Sequence, residues 1–223
     1  MKLVYAKGAC SLAVHILLEE LVIPYESIRV SLADKKVLES YNPLGYVPVL
    51  VLDNGVLMLE ATSILQYLSL ENGGAFMPKD SFERAKCIEW LTFISTELHK
   101  GFASLFHRKD LKENYINTIN DKIDKRLQVM EDRLLDQAFL MGHLYTVADM
   151  YALSILRLLD QVKISLNNFD AIKSYKKNLE ENLIIKNVIK IEENASIETM
   201  TREIFSPKGK AISGEDFFSQ RHS

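Results

Sequence analysis

The stretch that most restricts the fold of this 223-residue chain runs from Tyr46 to Glu60, "YVPVLVLDNGVLMLE". Two β-rich runs, 47–52 and 56–59, flank Asp53-Asn54-Gly55. Asn-Gly tolerates the positive φ of a tight turn, so this stretch predicts a hairpin. Pro48 belongs at the start or edge of its strand, because inside a central strand it would remove a ladder bond.

The segments around the hairpin give it a context. Residues 2–6 read as a short buried strand, and Leu12, Ile16, Leu17 and Leu21 recur on a helical period over 11–22. Pro24 ends that helix, and 26–32 then alternate polar and apolar, as a half-buried strand does. Residues 34–41 predict a short helix stopped at Asn42-Pro43, and 61–71 a longer one. Strand, helix, strand, short helix, hairpin, helix is the thioredoxin-like order.

After a linker marked by Gly73-Gly74 and Met77-Pro78, the chain reads helical. Ile116, Ile119, Ile123, Leu127, Met130 and Leu134 step by three or four, and Ile172, Tyr175 and Leu179 mark another helix. Thr146 with Asp149 three residues on is a capping box in which Asp replaces the usual Glu or Gln, a structural device whose loss costs about 1 kcal/mol. The expectation is an α/β plus all-α chain: a thioredoxin-like domain over 1–75, an all-helical domain over 80–205, and a flexible Gly- and Ser-rich tail over 206–223.

Composition narrows the function. A net charge of −3, with no Lys/Arg-rich block, argues against general nucleic-acid binding. No apolar run approaches a membrane span, and no secretion signal opens the chain. Two cysteines, Cys10 and Cys87, lack zinc-ligand spacing and are too few for a disulfide framework, so no metal site and a reducing, cytoplasmic setting are expected.

Four places carry candidate chemistry. Cys10 precedes the helix beginning near Ser11, where helix-start N–H groups favour an anion and predict a lowered thiol pKa; it is either that or a small buried filler. Ser11 either caps the helix or donates to a bound sulfur. Val47, before Pro48, either offers a backbone edge to a peptide-like ligand or simply opens a strand. Glu60 and Ala61 either meet a ligand's ammonium and carboxylate or merely suit a helix N-terminus. On the long helix that follows, Glu89, Thr92, Thr96 and His99 fall at offsets of three and four and predict a polar lane. Together these describe a site for a small peptide bearing a thiol, an ammonium and a carboxylate, as glutathione does.

The same residues carry a resemblance. "MKLVYAKGACSLAVHILLEE", "NPLGYVPVLVLDNGVLMLEATSILQYL", "WLTFISTELHKGF" and "YTVADMYALSILR" occur in the order and spacing of the cytosolic glutathione S-transferases, and most resemble the bacterial beta class, over residues 1 to about 205. The resemblance implies a cytoplasmic, homodimeric detoxifying enzyme that binds glutathione between its domains and transfers alkyl or aryl groups to it. It implies Cys10 beside the glutathione sulfur and able to form a mixed disulfide, with Tyr5 and Ser11 near. It assigns Lys35 to the glycyl end, Val47 and cis Pro48 to the cysteinyl part, and Glu60 and Ala61 to the γ-glutamyl end. Thr92, Thr96, His99 and Lys100 then come from the helical side, His99 and Lys100 nearest the thiol. Lys7 stands where the family usually has proline and is expected to lower the Cys10 pKa further. Alternatives are a thiol transferase or reductase exploiting Cys10, or a non-catalytic ligand-binding or regulatory protein of this fold.

Overall fold

A computed structural model describes residues 1–197. The end of the expected helical domain and the whole of the 206–223 tail lie outside the described residues. The first half is β1 (Lys2–Tyr5), α1 (Leu12–Glu20), β2 (Glu26–Arg29), α2 (Lys35–Tyr41), β3 (Val49–Val51), β4 (Leu57–Leu59) and α3 (Ala61–Glu71). These make a four-stranded mixed sheet in the order β2-β1-β3-β4, with β1 parallel to β2 and antiparallel to β3. Every predicted element is present, although β2 is shorter than the 26–32 alternation. The Asn-Gly turn forms as expected: Gly55 takes φ 81°, and the Asn54 side chain accepts from Val56 N–H at 3.0 Å.

Alternation on β1 divides the interior. Leu3 and Tyr5 face one apolar cluster with α1 and α3, whereas Val4 and Ala6 face a smaller one with Leu38 and Tyr41 of α2. α1 has no polar stripe; every residue from Leu12 to Leu18 is buried. A helix apolar all round must be covered on all sides, and α1 packs on α3, α7 and α9.

The second half is helical: α4 (Ser81–Phe93), a π-helical turn (Ile94–His99), α5 (Lys100–Phe102), a 3-10 segment (Ala103–Asp110), α6 (Glu113–Leu134), α7 (Val147–Val162), α8 (Asp170–Glu181) and α9 (Leu183–Asn194). Asp80 caps α4 by accepting from Phe82 and Glu83 N–H. Glu131 of α6 caps α8 by accepting from Ala171 and Ile172 N–H at 2.8 and 2.9 Å.

The capping box at the start of α7 has a wider role than one helix end. Asp149 is fully buried, and its carboxylate accepts from the Thr146 N–H and hydroxyl, from Leu140 N–H and from the Tyr175 hydroxyl, all within 2.9 Å. One side chain thereby joins α7, α8 and the preceding loop.

Candidate active site

Strand register determines which loops meet. Val4 pairs with Val49, and Val49 with Leu59, so the end of β1, the start of β3 and the end of β4 lie at one edge of the sheet. The loop leaving β1 carries Gly8 and Cys10, the approach to β3 carries Val47-Pro48, and β4 runs directly into Glu60 and Ala61. β2 is parallel to β1, so the chain leading to Lys35 starts from the same edge. Lys35 is exposed and lies over Gly45, whose added Cβ would sit 3.6 Å from the Lys35 Cδ. The sequence-expected residues of the first half are thus brought together by topology.

Local features shape these loops. Asn42 is buried; its side chain donates to the Tyr46 carbonyl at 3.1 Å and accepts from Leu44 N–H at 3.0 Å. The Val47-Pro48 peptide is cis. The ladder with β1 ends at Val49, leaving Val47 beyond the paired strand. Glu60, at the start of α3, has φ 66° and ψ 118°, a conformation a non-glycine residue rarely holds and one that costs on the order of 1–3 kcal/mol. Ala61 behind it is buried.

Cys10 faces this edge: its thiol donates to the Val47 carbonyl at 3.4 Å. The expectation of a lowered thiol pKa is overturned. Burial pushes Cys10 up to about 12, and the backbone N–H groups of Cys10 and Ser11 and the Lys100 ammonium offset only part of this, while Glu60 adds to it. Helix-start electrostatics operates as expected, but loss of water around a buried thiolate outweighs it. Lys7 is exposed, and the cation acting on Cys10 is Lys100.

Ser11 takes neither expected role. It is fully buried, and its hydroxyl is held between the Ala6 N–H and the Ala6 carbonyl, both at 3.3 Å. It closes the β1–α1 loop; it neither caps α1 nor faces a ligand. Tyr5 likewise points inward: it is fully buried and its ring stacks tilted on His15 with centroids 5.1 Å apart.

The helical half closes over this edge. Lys100 Nζ lies 5.0 Å from the centroid of the Tyr46 ring, a cation–π contact between the halves. The expected polar lane is interrupted: the π-helical turn has i→i+5 bonding and breaks the α period on which Glu89, Thr92, Thr96 and His99 were aligned. Thr92 and Thr96 are exposed, with hydroxyls donating back to the Ile88 and Thr92 carbonyls at 2.9 Å, and Glu89 pairs with Lys86. His99 is instead drawn inward, its Nδ1 3.2 Å from the Tyr151 hydroxyl. Burial, then the neighbouring Lys100, lowers its pKa to about 4, so at neutral pH the ring is uncharged.

Some important residues escape a reading of the sequence. Tyr151 lies within the apolar run of α7, where it looks like core, yet it lies within electrostatic reach of Cys10 and Glu60 as well as touching His99. Gly8, with φ 65°, is held from the helical half on both sides: its N–H donates to Glu192 of α9 at 3.2 Å and its carbonyl accepts from Gln161 at 2.9 Å. The other Glu192 oxygen meets His15 Nδ1 at 3.1 Å, with both side chains buried. Glu192 had no signal beyond being an acidic residue at an inward position of an amphipathic helix.

Comparison with known proteins follows the same two-part layout. Residues 8–70 match the glutathione S-transferase N-terminal domain and residues 93–182 the glutathione S-transferase C-terminal domain. The chain is 37% identical over 199 residues to glutathione S-transferase GstA of Escherichia coli O157:H7, covering 86% of this chain and 98% of that one. Among solved structures it resembles a ternary complex of BphK, a bacterial glutathione S-transferase, with a TM-score of 0.81 and 33% identity over 86% of this chain and all of that one. It also resembles the beta class enzyme of Sphingomonas chungbukensis, with a TM-score of 0.79 and 29% identity over 86% of this chain and 98% of that one.

Proposed function

The chain belongs to the glutathione S-transferase family, and from that premise we propose how its site divides the work. It is a glutathione transferase: the glutathione thiol loses its proton, the sulfur bonds to an electrophilic carbon, and the leaving group departs with its electron pair. Residues 1–75 form the glutathione-binding unit and 80–205 the electrophile-binding unit.

In this reading the Val47 backbone, beside cis Pro48, pairs with the cysteinyl part of glutathione. Glu60 receives the γ-glutamyl ammonium, the N–H groups at Ala61 its carboxylate, and Lys35 the glycyl carboxylate. His99 and Lys100 stand over the sulfur, where a neutral donor and a cation both favour thiolate. Thr92 and Thr96 stay at the rim. The observation that carries the reading is the convergence of Cys10, Val47 and Glu60 at one sheet edge, with Lys100 acting on the same thiol from the helical half.

Cys10, buried and donating to Val47, suits a structural neighbour of the sulfur better than an exchanging nucleophile, so conjugation is favoured over thiol transfer. The beta class assignment rests on the likeness to the Sphingomonas enzyme together with Cys10. A homodimer would cover exposed Leu70 at the end of α3 and Phe82 at the start of α4. A reducing, cytoplasmic setting accords with the two free cysteines; among the described residues no helix is long and apolar enough to cross a membrane.

Kinetics with glutathione and chlorodinitrobenzene test this. Glu60→Gln removes a charge-assisted contact worth about 1.5–3 kcal/mol, so the KM for glutathione rises roughly 10- to 100-fold while kcat changes little. An unchanged KM would remove Glu60 from the binding site and the reading with it.

A further inference from the structure

His99 and Tyr151 form a pair whose proton positions follow from the groups around them. The Tyr151 hydroxyl is buried, its ring meets the His99 ring edge-on with centroids 6.4 Å apart, and its oxygen lies 3.2 Å from Nδ1. Burial, with the carboxylate of Glu60 also contributing, raises the Tyr151 pKa, so the hydroxyl keeps its proton. That hydroxyl therefore has one hydrogen to give, and the imidazole nitrogen 3.2 Å away can accept it.

A neutral imidazole has one donor and one acceptor nitrogen, and the hydrogen bond at one nitrogen decides where the proton sits on the other. An acceptor Nδ1 leaves the proton on Nε2. We propose that Tyr151 is a positioning residue for conjugation: its hydroxyl donates to His99 Nδ1, fixing the imidazole as the Nε2–H tautomer and so as a neutral hydrogen-bond donor to the glutathione sulfur. Tyr151 and His99 then form a chain of two donors ending at the thiolate. The ring stays uncharged, so it stabilises the thiolate at neutral pH without having to bind a second proton. Lys100 acts beside it as a separate charge and does not depend on the tautomer. This proposal rests on the reading that His99 stands beside the thiol of glutathione.

The test measures the ultraviolet thiolate band of glutathione bound to reduced protein as a function of pH, alongside kcat and glutathione affinity. The proteins compared are the wild type, Tyr151→Phe, His99→Gln and the double variant. Tyr151→Phe keeps the aromatic ring, so circular dichroism and glutathione affinity are expected to stay close to wild type. Thiolate at a fixed pH below its pKa falls about ten-fold, equivalent to 1.36 kcal/mol, and kcat falls with it. In the His99→Gln background, Tyr151→Phe changes neither quantity further, because the group it acts through is gone. A thiolate band unmoved by Tyr151→Phe while His99→Gln lowers it overturns the relay and leaves His99 at the thiol. An equal fall from Tyr151→Phe in both backgrounds overturns it too, since Tyr151 would then act independently. A band unmoved by His99→Gln removes His99 from the sulfur, and the reading fails together with the relay.

Discussion

Alkylation of Cys10 in the ligand-free protein gives the most direct test of how burial competes with helix-start electrostatics. The thiol is 8% exposed, and burial takes its pKa from 9.0 to about 12. At neutral pH that change lowers the thiolate fraction about a thousand-fold relative to an ordinary cysteine. The less acidic thiolate is also the better nucleophile. With a Brønsted slope near 0.4–0.5, three pKa units return roughly 15- to 30-fold in intrinsic rate. The net expectation is that iodoacetamide modifies Cys10 in the folded protein about 30- to 60-fold more slowly than in the denatured chain, before any further slowing from restricted access. Peptide mapping by mass spectrometry separates Cys10 from Cys87, which is also buried. Across alkaline pH the denatured chain levels off above its thiol pKa, whereas folded Cys10 keeps gaining rate. Cys10 reacting as fast in the folded protein as in the denatured one would refute the argument and restore the activated thiol.

Asp149 and His99 give two further expectations. Asp149→Ala strands the buried donors Leu140 N–H, Thr146 N–H and the Tyr175 hydroxyl. At about 1 kcal/mol or more for each, the loss is at least ~3 kcal/mol, and thermal unfolding by calorimetry falls by roughly 6–12 °C; a fall of under 2 °C would show the network to be dispensable. His99 binds a proton less readily in the folded state, near pKa 4, than in the unfolded chain, near 6.5. Between these values the unfolded chain carries the extra proton, so the contribution of His99 is complete above pH 6.5 and is lost as pH falls toward 4, by about 3 kcal/mol at most. Denaturant titrations of the wild type and His99→Gln across that window check it: the variant has the shallower slope, and equal slopes would place the acid sensitivity elsewhere.

The sequence made the first half legible because its signals lie at element ends. Asn54-Gly55 set the hairpin, Pro48 marked a strand start, and Glu60-Ala61 stood where a strand meets a helix, so the residues gathered at the sheet edge were identifiable before their register was known. The helical side was less legible. Nothing in "ISTELH" announces a π-helical turn, so a lane counted on the α period put His99 in line with Thr92 and Thr96, whereas the structure turns it away from them toward Tyr151. Tyr151 itself reads as one apolar residue among many on α7. Cys10 shows a different gap: the favourable N–H groups around it follow from local sequence, but the depth of its burial depends on Val47, Glu60 and the helical half, which only the assembled fold brings near. Ser11 shows a local gap instead: its hydroxyl is consumed by Ala6 only five residues earlier, through a loop geometry that carries no residue signal.

The double hold on Gly8 bears on the order in which the site is assembled as the chain is made. Every residue assigned to glutathione has been added to the chain by Lys100, and domains generally begin folding from the N-terminus during synthesis. The turn ahead of Cys10 nevertheless has one of its two outside anchors in α7 and the other near the end of α9. A nascent chain stopped just short of Glu192 would therefore hold a complete set of ligand contacts while the turn ahead of Cys10 was tethered on one side only. The turn ahead of Cys10 is thus closed by residues far along the chain that stand outside every assigned ligand contact.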